Sequence, residues 1–296
     1  MKSLTTHFDT ARRIARIVWR DGVLRRKPTR IYHEHHTFNE WHLGDNLIHL
    51  NFLRRLAARS PHEKFVHACR ECYLGQLRPV VADLPNVRLV ALKDMHPGSI
   101  NCWKNYGKWT GRGGYFDRSD KQADFVAFHL MFFNDLARRM GTTSPIGCAS
   151  DFLFNYPAVL KSLSTHEGRY DVLVCNSTPQ SNQLLGWKDG DWDDVIEYIL
   201  QRGRSVICTQ QSPFANSQTG ADCTYGLDVT GVGNVSLRCG LIVGCPCGPM
   251  WPTWNVRNRD TPRIVVHGKE TINIGSRTQH ARNKAELLSL LEAHFK

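Results

Sequence analysis

The chain alternates short strand-like runs with amphipathic segments, and this alternation restricts its fold more than any other feature. Runs typical of short strands stand at 29–33, 64–68 and 87–92. Segments with helical periodicity, at 47–57 and 72–82, lie between them. Parallel strands need a crossover connection, so strands that alternate with helices predict a parallel sheet in an α/β fold.

The alternation pauses over 142–169 and then restarts, which predicts a second α/β unit. Its strands are predicted at 170–175, 205–209, 241–244 and 263–267. Its helices are predicted at 192–201, 235–239 and 284–294. A chain of 296 residues has the length of two ordinary domains. We therefore predict two Rossmann-like domains, residues 1–160 and 161–296, with a ligand site in the cleft between them.

The formal net charge is +11, from 38 Lys and Arg against 27 Asp and Glu. This excess favours an anionic partner, which could be a nucleic acid, a phosphorylated ligand or an anionic membrane surface. Part of it lies at 8–20, a predicted amphipathic helix with arginines off its apolar face. That helix either docks on an anionic membrane or packs on its own domain, and the second interpretation is favoured.

Composition also restricts the compartment. Arginines interrupt the apolar residues of the N-terminus, and no run is long enough to cross a membrane. We therefore expect a cytoplasmic protein. A peripheral position on the inner face of the membrane is the alternative that follows if helix 8–20 docks on lipid. The ten cysteines are expected to be reduced, because a chain of this length forms a core without disulfides. Cys175 and Cys208 stand at buried strand positions.

Two segments of the chain carry distinctive motifs. The first, at 43–56, begins Leu-Gly-Asp-Asn-Leu-Ile-His-Leu and leads into a predicted helix. The second, at 241–250, is a predicted strand that runs into Gly248-Pro249-Met250. Together they resemble the bacterial lipopolysaccharide heptosyltransferase family. The resemblance implies a GT-B fold, in which an N-terminal acceptor-side domain and a C-terminal nucleotide-sugar domain face each other across a cleft.

The family resemblance implies a chemical role for the first motif. Asp45 would be the base that takes the proton of the acceptor hydroxyl, which gives an inverting transfer. The alternative is that Asp45 only caps the following helix. Gly44 would allow close approach to the backbone, and residues on either side would contact the acceptor. The expected acceptor-binding residues are His42, Gly44, Asn46, Lys108 and Arg112.

The second motif implies the donor site. Backbone N–H groups after Gly248 and Pro249 would bind the diphosphate of an ADP-, GDP- or UDP-linked sugar. The expected donor-binding residues are Lys188, Gly244, Cys247, Gly248, Pro249 and Met250. The family has Asp-Ser where this chain has Pro246 and Cys247, and His where it has Trp251. Heptosyl, hexosyl and fucosyl transfer therefore all stay open, and the acceptor is a glycan or glycolipid.

No metal or other cofactor is expected. Cys69-x-x-Cys72 and Cys245-x-Cys247 lack the second close pair that a structural zinc site needs, and the histidines of 33–42 are expected to make polar contacts instead of binding a metal. Metal-independent transfer is therefore expected.

Two other functions compete with sugar transfer. The aromatic and basic segment 103–109 would suit stacking on nucleic-acid bases, but no recognised nucleic-acid motif is present. A degenerate glycosyltransferase fold, retained for binding alone, is the other alternative, and Pro246 is the residue that supports it. Nucleic-acid binding is the first alternative to sugar transfer.

Overall fold

The computed structural model describes residues 34–104, 123–160, 169–177, 184, 187–188, 190–214, 221–223, 227–267, 270–275 and 277–296. The predicted strand at 29–33, the predicted basic helix at 8–20 and residues 105–109 of the aromatic and basic segment lie outside these residues. The described part contains two parallel sheets with helices, as the alternation predicts.

The first sheet is built from the N-terminal half of the chain. Its strands and helices are β1 (Glu34–Phe38), α1 (Leu43–Arg59), β2 (Lys64–Cys69), α2 (Leu74–Val81), β3 (Val87–Ala91) and β4 (Ile100–Asn101). The strand order is β3-β2-β1-β4, and all pairs are parallel. The register places Thr37 beside His67 and His67 beside Leu89.

Helix α1 carries the first motif into the core. Leu47, Leu50 and Leu53 recur at helical spacing and are buried. The helix begins at Leu43, two residues before Asp45, and His42 is its N-cap. Asp45 therefore lies in the first turn rather than at the cap itself.

The connection between the sheets contains β5 (Ala123–Asp124), α3 (Phe125–Arg139) and α4 (Pro157–Leu160). Helix α3 presents a row of buried phenylalanines, and the rings of Phe133 and Phe52 of α1 stack with centroids 4.9 Å apart. The predicted domain boundary after residue 160 meets residues outside the described ranges, so the division at 160 stays a prediction.

The second sheet comes from the C-terminal half. Its elements are β6 (Tyr170–Cys175), α5 (Asp191–Gln201), β7 (Val206–Cys208), β8 (Ala221–Cys223), α6 (Val229–Ser236), β9 (Cys239–Gly244), β10 (Arg263–Val266), β11 (Glu270–Thr271), β12 (Thr278–Ala281) and α7 (Lys284–Phe295). Six of the strands form a parallel sheet in the order β8-β7-β6-β9-β10-β12, while β11 pairs with β5. By chain order within this half, the sheet reads 3-2-1-4-5-6, which is the doubly wound dinucleotide-binding order.

The helix predicted at 235–239 is wrong. Residues 229–236 form α6 instead, and Cys239 already belongs to β9. Val229, Gly231 and Gly233 are weak helix formers, so the sequence pattern gives little indication that this segment is a helix. Asp228 overrides them, because its carboxylate accepts the N–H of Gly231 and caps the first turn.

The two halves share one continuous apolar core. Val159 of α4 packs against α6, where a Cβ at Gly233 would lie 2.9 Å from Val159 Cγ1. Phe154 forms a parallel bridge with Asn255, and its N–H donates to the Trp254 carbonyl at 2.8 Å. Among the described residues, no helix has the length and apolar character needed to cross a membrane.

Candidate functional site

The strand orders alone locate the expected binding crevices. In open α/β sheets, ligands bind beyond the carboxyl ends of the strands where the strand order reverses. In the second sheet this point lies between β6 and β9, which end at Cys175 and Gly244. In the first sheet it lies between β1 and β4. The first motif follows β1, and the Gly248-Pro249-Met250 end of the second motif follows β9, so both lie at such a point.

The two motifs are in direct contact. A Cβ built on Gly44 would lie 2.8 Å from Nε1 and 2.9 Å from Cδ1 of Trp251. A Cβ built on Gly248 would lie 3.1 Å from Cδ2 of Leu43. Both glycines therefore let the first turn of α1 approach the 3₁₀ turn Gly248–Thr253 of the other half. Gly44 was predicted to let a ligand approach the backbone, but in the structure the side chain of Trp251 occupies the space beside it.

Gly244 has a similar packing role. A Cβ at this position would lie 2.6 Å from Cys175 Cβ and 3.2 Å from Met250 Sδ. Cys175 and Met250 are both fully buried. Cys175 and Met250 therefore fill the space beside Gly244 at the end of β9. Met250, which was predicted to contact the donor, points into the core instead.

Asp45 is the partly exposed acid at this junction. Its Oδ2 accepts the backbone N–H of His42 at 3.1 Å, while Oδ1 has no hydrogen bond to a described residue. Burial raises the pKa of Asp45 to about 7, and the His42 N–H opposes the rise. The carboxyl group therefore helps to cap its helix and also keeps one oxygen free, with the pKa that a general base needs near neutral pH.

Asn46, predicted to contact the acceptor, is instead fully buried. Its Nδ2 donates to the His42 carbonyl at 2.9 Å, and its Oδ1 lies 3.1 Å from His67 Nε2. His42 is partly exposed beside Asp45 and remains in place for an acceptor contact. Lys108 and Arg112 lie outside the described residues, so their acceptor roles stay predictions.

Among the residues predicted to bind the donor, Cys247 is the N-cap of the 248–253 turn and is buried. Its neighbour Cys245 donates its thiol to the Ser177 carbonyl at 3.3 Å, which joins the ends of β9 and β6. Pro249 stands in the first turn, where its missing N–H costs nothing. The N–H of Met250 donates to the Cys247 carbonyl at 3.1 Å, so of the predicted diphosphate-binding N–H groups only that of Gly248 remains. The second motif presents no carboxylate.

Lys188 is exposed in the connection from β6 to α5, on the same sheet edge. Its backbone N–H donates to Asp191 at 2.6 Å. The first turn of α5 carries Asp191, Asp193 and Asp194, and this negative charge opposes phosphate binding at the helix terminus. Helix α6 is likewise capped by an aspartate. The 248–253 turn, free of acidic residues, is the better place for a diphosphate.

No group of three or more His, Cys, Asp or Glu side chains in the described ranges is arranged to hold a metal ion. Cys69 is buried and Cys72 exposed, so this pair does not share one environment. Whether the reaction needs a metal is a separate question, and the expectation of metal independence stays a prediction.

Comparison with known proteins finds similarity in structure alone. No family model matches the sequence, and no curated protein matches it. Among solved structures, the E. coli heptosyltransferase WaaC with ADP-2-deoxy-2-fluoro heptose aligns with a TM-score of 0.53 at 15% identity, over 88% of this chain and 99% of that one. The chain has the GT-B fold.

Two further structures agree with the GT-B fold. A glycosyl transferase family 9 protein from Veillonella parvula aligns with a TM-score of 0.50 at 14% identity, over 88% of this chain and 89% of that one. The iron-containing dodecameric glycosyltransferase TibC from enterotoxigenic E. coli aligns at 0.50 and 18% identity, over 84% of this chain and 64% of that one. The predicted resemblance to heptosyltransferases is therefore confirmed at the level of fold.

Proposed function

We propose that this GT-B protein is a glycosyltransferase that moves a sugar from a nucleotide-sugar donor to a glycan or glycolipid acceptor. One observation carries the proposal. Asp45, with one free carboxylate oxygen and a pKa raised to about 7, stands where the first motif meets the Gly248–Thr253 turn of the doubly wound sheet. Solved glycosyltransferases with the same fold support it.

In the proposed reaction, Asp45 Oδ1 takes the proton of an acceptor hydroxyl as that oxygen attacks the anomeric carbon. Direct displacement by one nucleophile inverts the configuration at that carbon. The pKa of about 7 suits the task, because a stronger acid would be too weak a base and a weaker acid would be mostly protonated.

The leaving diphosphate needs stabilisation by positive charge or by N–H groups. The start of the 248–253 turn and Lys188 are the groups we assign to it. Both lie at the carboxyl edge of the second sheet, near the reversal of strand order. We further propose that no metal takes part and that the protein works in the cytoplasm, at the inner face of the membrane.

A nucleoside diphosphate should stabilise the protein against heat. A ligand at a hundredfold excess over its Kd contributes about 2.7 kcal/mol, which corresponds to a Tm rise of about 5 °C in a chain of this size. ADP, GDP and UDP are tested by thermal shift, each against its nucleoside and against pyrophosphate. One diphosphate should raise Tm more than its nucleoside does.

The same panel separates the competing functions. No shift with any nucleotide would contradict the glycosyltransferase proposal. Binding to oligonucleotides that weakens steeply with salt would favour the nucleic-acid alternative instead. Nucleotide binding without turnover of any matching nucleotide-sugar would support the degenerate fold.

A further inference from the structure

A buried histidine of the first sheet is connected to Asp45 by hydrogen bonds. His67 stands in the middle of β2, is fully buried and belongs to an otherwise apolar run. Its Nδ1 lies 3.0 Å from Thr37 Oγ1, and its Nε2 lies 3.1 Å from Asn46 Oδ1. Both ring nitrogens are thus satisfied, which a buried polar side chain requires.

The partners determine the direction of each bond. Asn46 Nδ2 donates to the His42 carbonyl, so Asn46 Oδ1 is an acceptor and His67 Nε2 carries the proton. His67 Nδ1 is then an acceptor for the Thr37 hydroxyl. Burial lowers the pKa of His67 to about 3, so the ring is neutral throughout the working range of an enzyme.

The series of bonds ends at Asp45. Asn46 holds the carbonyl of His42, and the N–H of the same residue donates to Asp45 Oδ2 at 3.1 Å. Every donor in the series, from Thr37 through His67 and Asn46 to His42, points toward the carboxylate. This bond holds Oδ2 and leaves Oδ1 for the reaction.

We infer that His67 is a positioning residue, which acts through Asn46 and His42 to fix the orientation of the Asp45 carboxylate. The inference rests on the proposed role of Asp45 as base. His67 touches no substrate, so its loss should reduce the rate of the chemical step and leave donor binding intact. Small displacements of a reacting group lower rates steeply, by about a hundredfold for 1 Å.

The test compares two amide variants that differ by one methylene. His67→Gln places its amide nitrogen near the position of Nε2 and still reaches Asn46. His67→Asn reaches only the position of Nδ1 and leaves Asn46 unsupported. We expect His67→Asn to lower kcat by about 10–100-fold with donor KM unchanged, and His67→Gln to retain most of the activity. The control is His35→Asn, because His35 bonds Glu63 near the other end of β1.

A merely structural role would not move the pH profile. Loss of the His42 N–H bond removes the interaction that lowers the pKa of Asp45, so the acid limb of kcat should shift to higher pH in His67→Asn and return in His67→Gln. Tyr73, in the 3₁₀ turn before α2, is a titratable group on a neighbouring element that interacts with Asp45. It titrates far above this range, since burial raises its pKa from the usual 10.0.

Each result has a defined meaning. Wild-type kcat and an unshifted acid limb in folded His67→Asn would overturn the inference, as would equal loss in both amide variants. If His67→Asn does not fold, Asn46→Leu breaks the same series and takes its place. If the wild type transfers no sugar, the proposed function fails. The carboxyl titration of Asp45, followed by ¹³C NMR in wild type and His67→Asn, then decides the positioning role, and equal pKa values refute it.

Discussion

Replacing Asp45 by asparagine is expected to lower sugar transfer by about 10²–10⁴-fold and to leave nucleoside diphosphate binding unchanged. Asparagine has the same shape, and its oxygen still accepts the His42 N–H that Asp45 Oδ2 accepts. The variant therefore removes the base and keeps the helix cap. Rates with a matched donor and acceptor, and thermal shift with the diphosphate, measure the two effects separately.

Asp45→Asn is also expected to stabilise the folded protein at neutral and alkaline pH, although it lowers the rate of transfer. The pKa of Asp45 is raised from 3.8 to about 7, so the folded state holds this proton more tightly than the unfolded state does. Folding is therefore penalised as pH rises from about 4 to about 7, and fully penalised above. Asp45→Asn removes the penalty, so its Tm should exceed that of the wild type at pH 8 and approach it at pH 4.

The wild-type rate should show the same titration. Because the base must be ionised, kcat is expected to fall roughly tenfold per pH unit below about pH 7. Asp94→Asn, an exposed aspartate in the 3₁₀ turn after β3, is the control and should leave rate and profile unchanged. Full turnover in Asp45→Asn would exclude Asp45 as the base.

Gly44→Ala tests the contact between the two motifs. The new Cβ would lie 2.8 Å from Trp251 Nε1, and Trp251 packs against Phe125 and Trp254 with ring centroids 5.0 Å away, so it has little room to shift. Overpacking of this kind costs about 1–3 kcal/mol, partly offset by up to about 1 kcal/mol from the better helix former. We expect Tm to fall by several degrees and kcat to fall about tenfold or more, because Asp45 is the next residue.

The contact can be isolated by a double-mutant cycle. In a Trp251→Leu background, the same Gly44→Ala change should be neutral or slightly stabilising, because the indole is gone. Gly75→Ala in α2 is the matched control, since nothing lies within 4 Å of its added Cβ, and it should stabilise slightly. An equal loss in both backgrounds would show that Trp251 does not restrict Gly44.

Much of the second sheet follows from the sequence because its central parallel strands are buried. The strands Tyr170–Cys175 and Cys239–Gly244 contain apolar runs whose side chains are buried, and this burial determines them. By contrast, β12 reads Thr-Gln-His-Ala and lies at a sheet edge, where burial imposes no apolar pattern. Its pairing with β10 depends on tertiary contacts that the sequence does not display.

The site was only partly predictable for a related reason. A Gly-Asp motif and a Gly-Pro-Met motif indicate their own local turns, but the packing of Trp251 on Gly44 joins residues from opposite halves. His67 had a signal, since a lone histidine interrupts an apolar strand. That signal does not reveal its partner, because Asn46 reaches it from a helix that begins in the preceding crossover.

The core that the two halves share has a consequence for how such a chain can diversify. The two halves cannot be exchanged independently, because Gly44 of the N-terminal half packs against Trp251 of the C-terminal half, and Gly248 packs against Leu43. A chimera that joined this N-terminal half to a C-terminal half with another residue at position 251 would lose that fit. Changes in ligand preference are therefore expected to be tolerated best at substitutions away from these contacts, and exchange of whole halves is expected to be tolerated poorly.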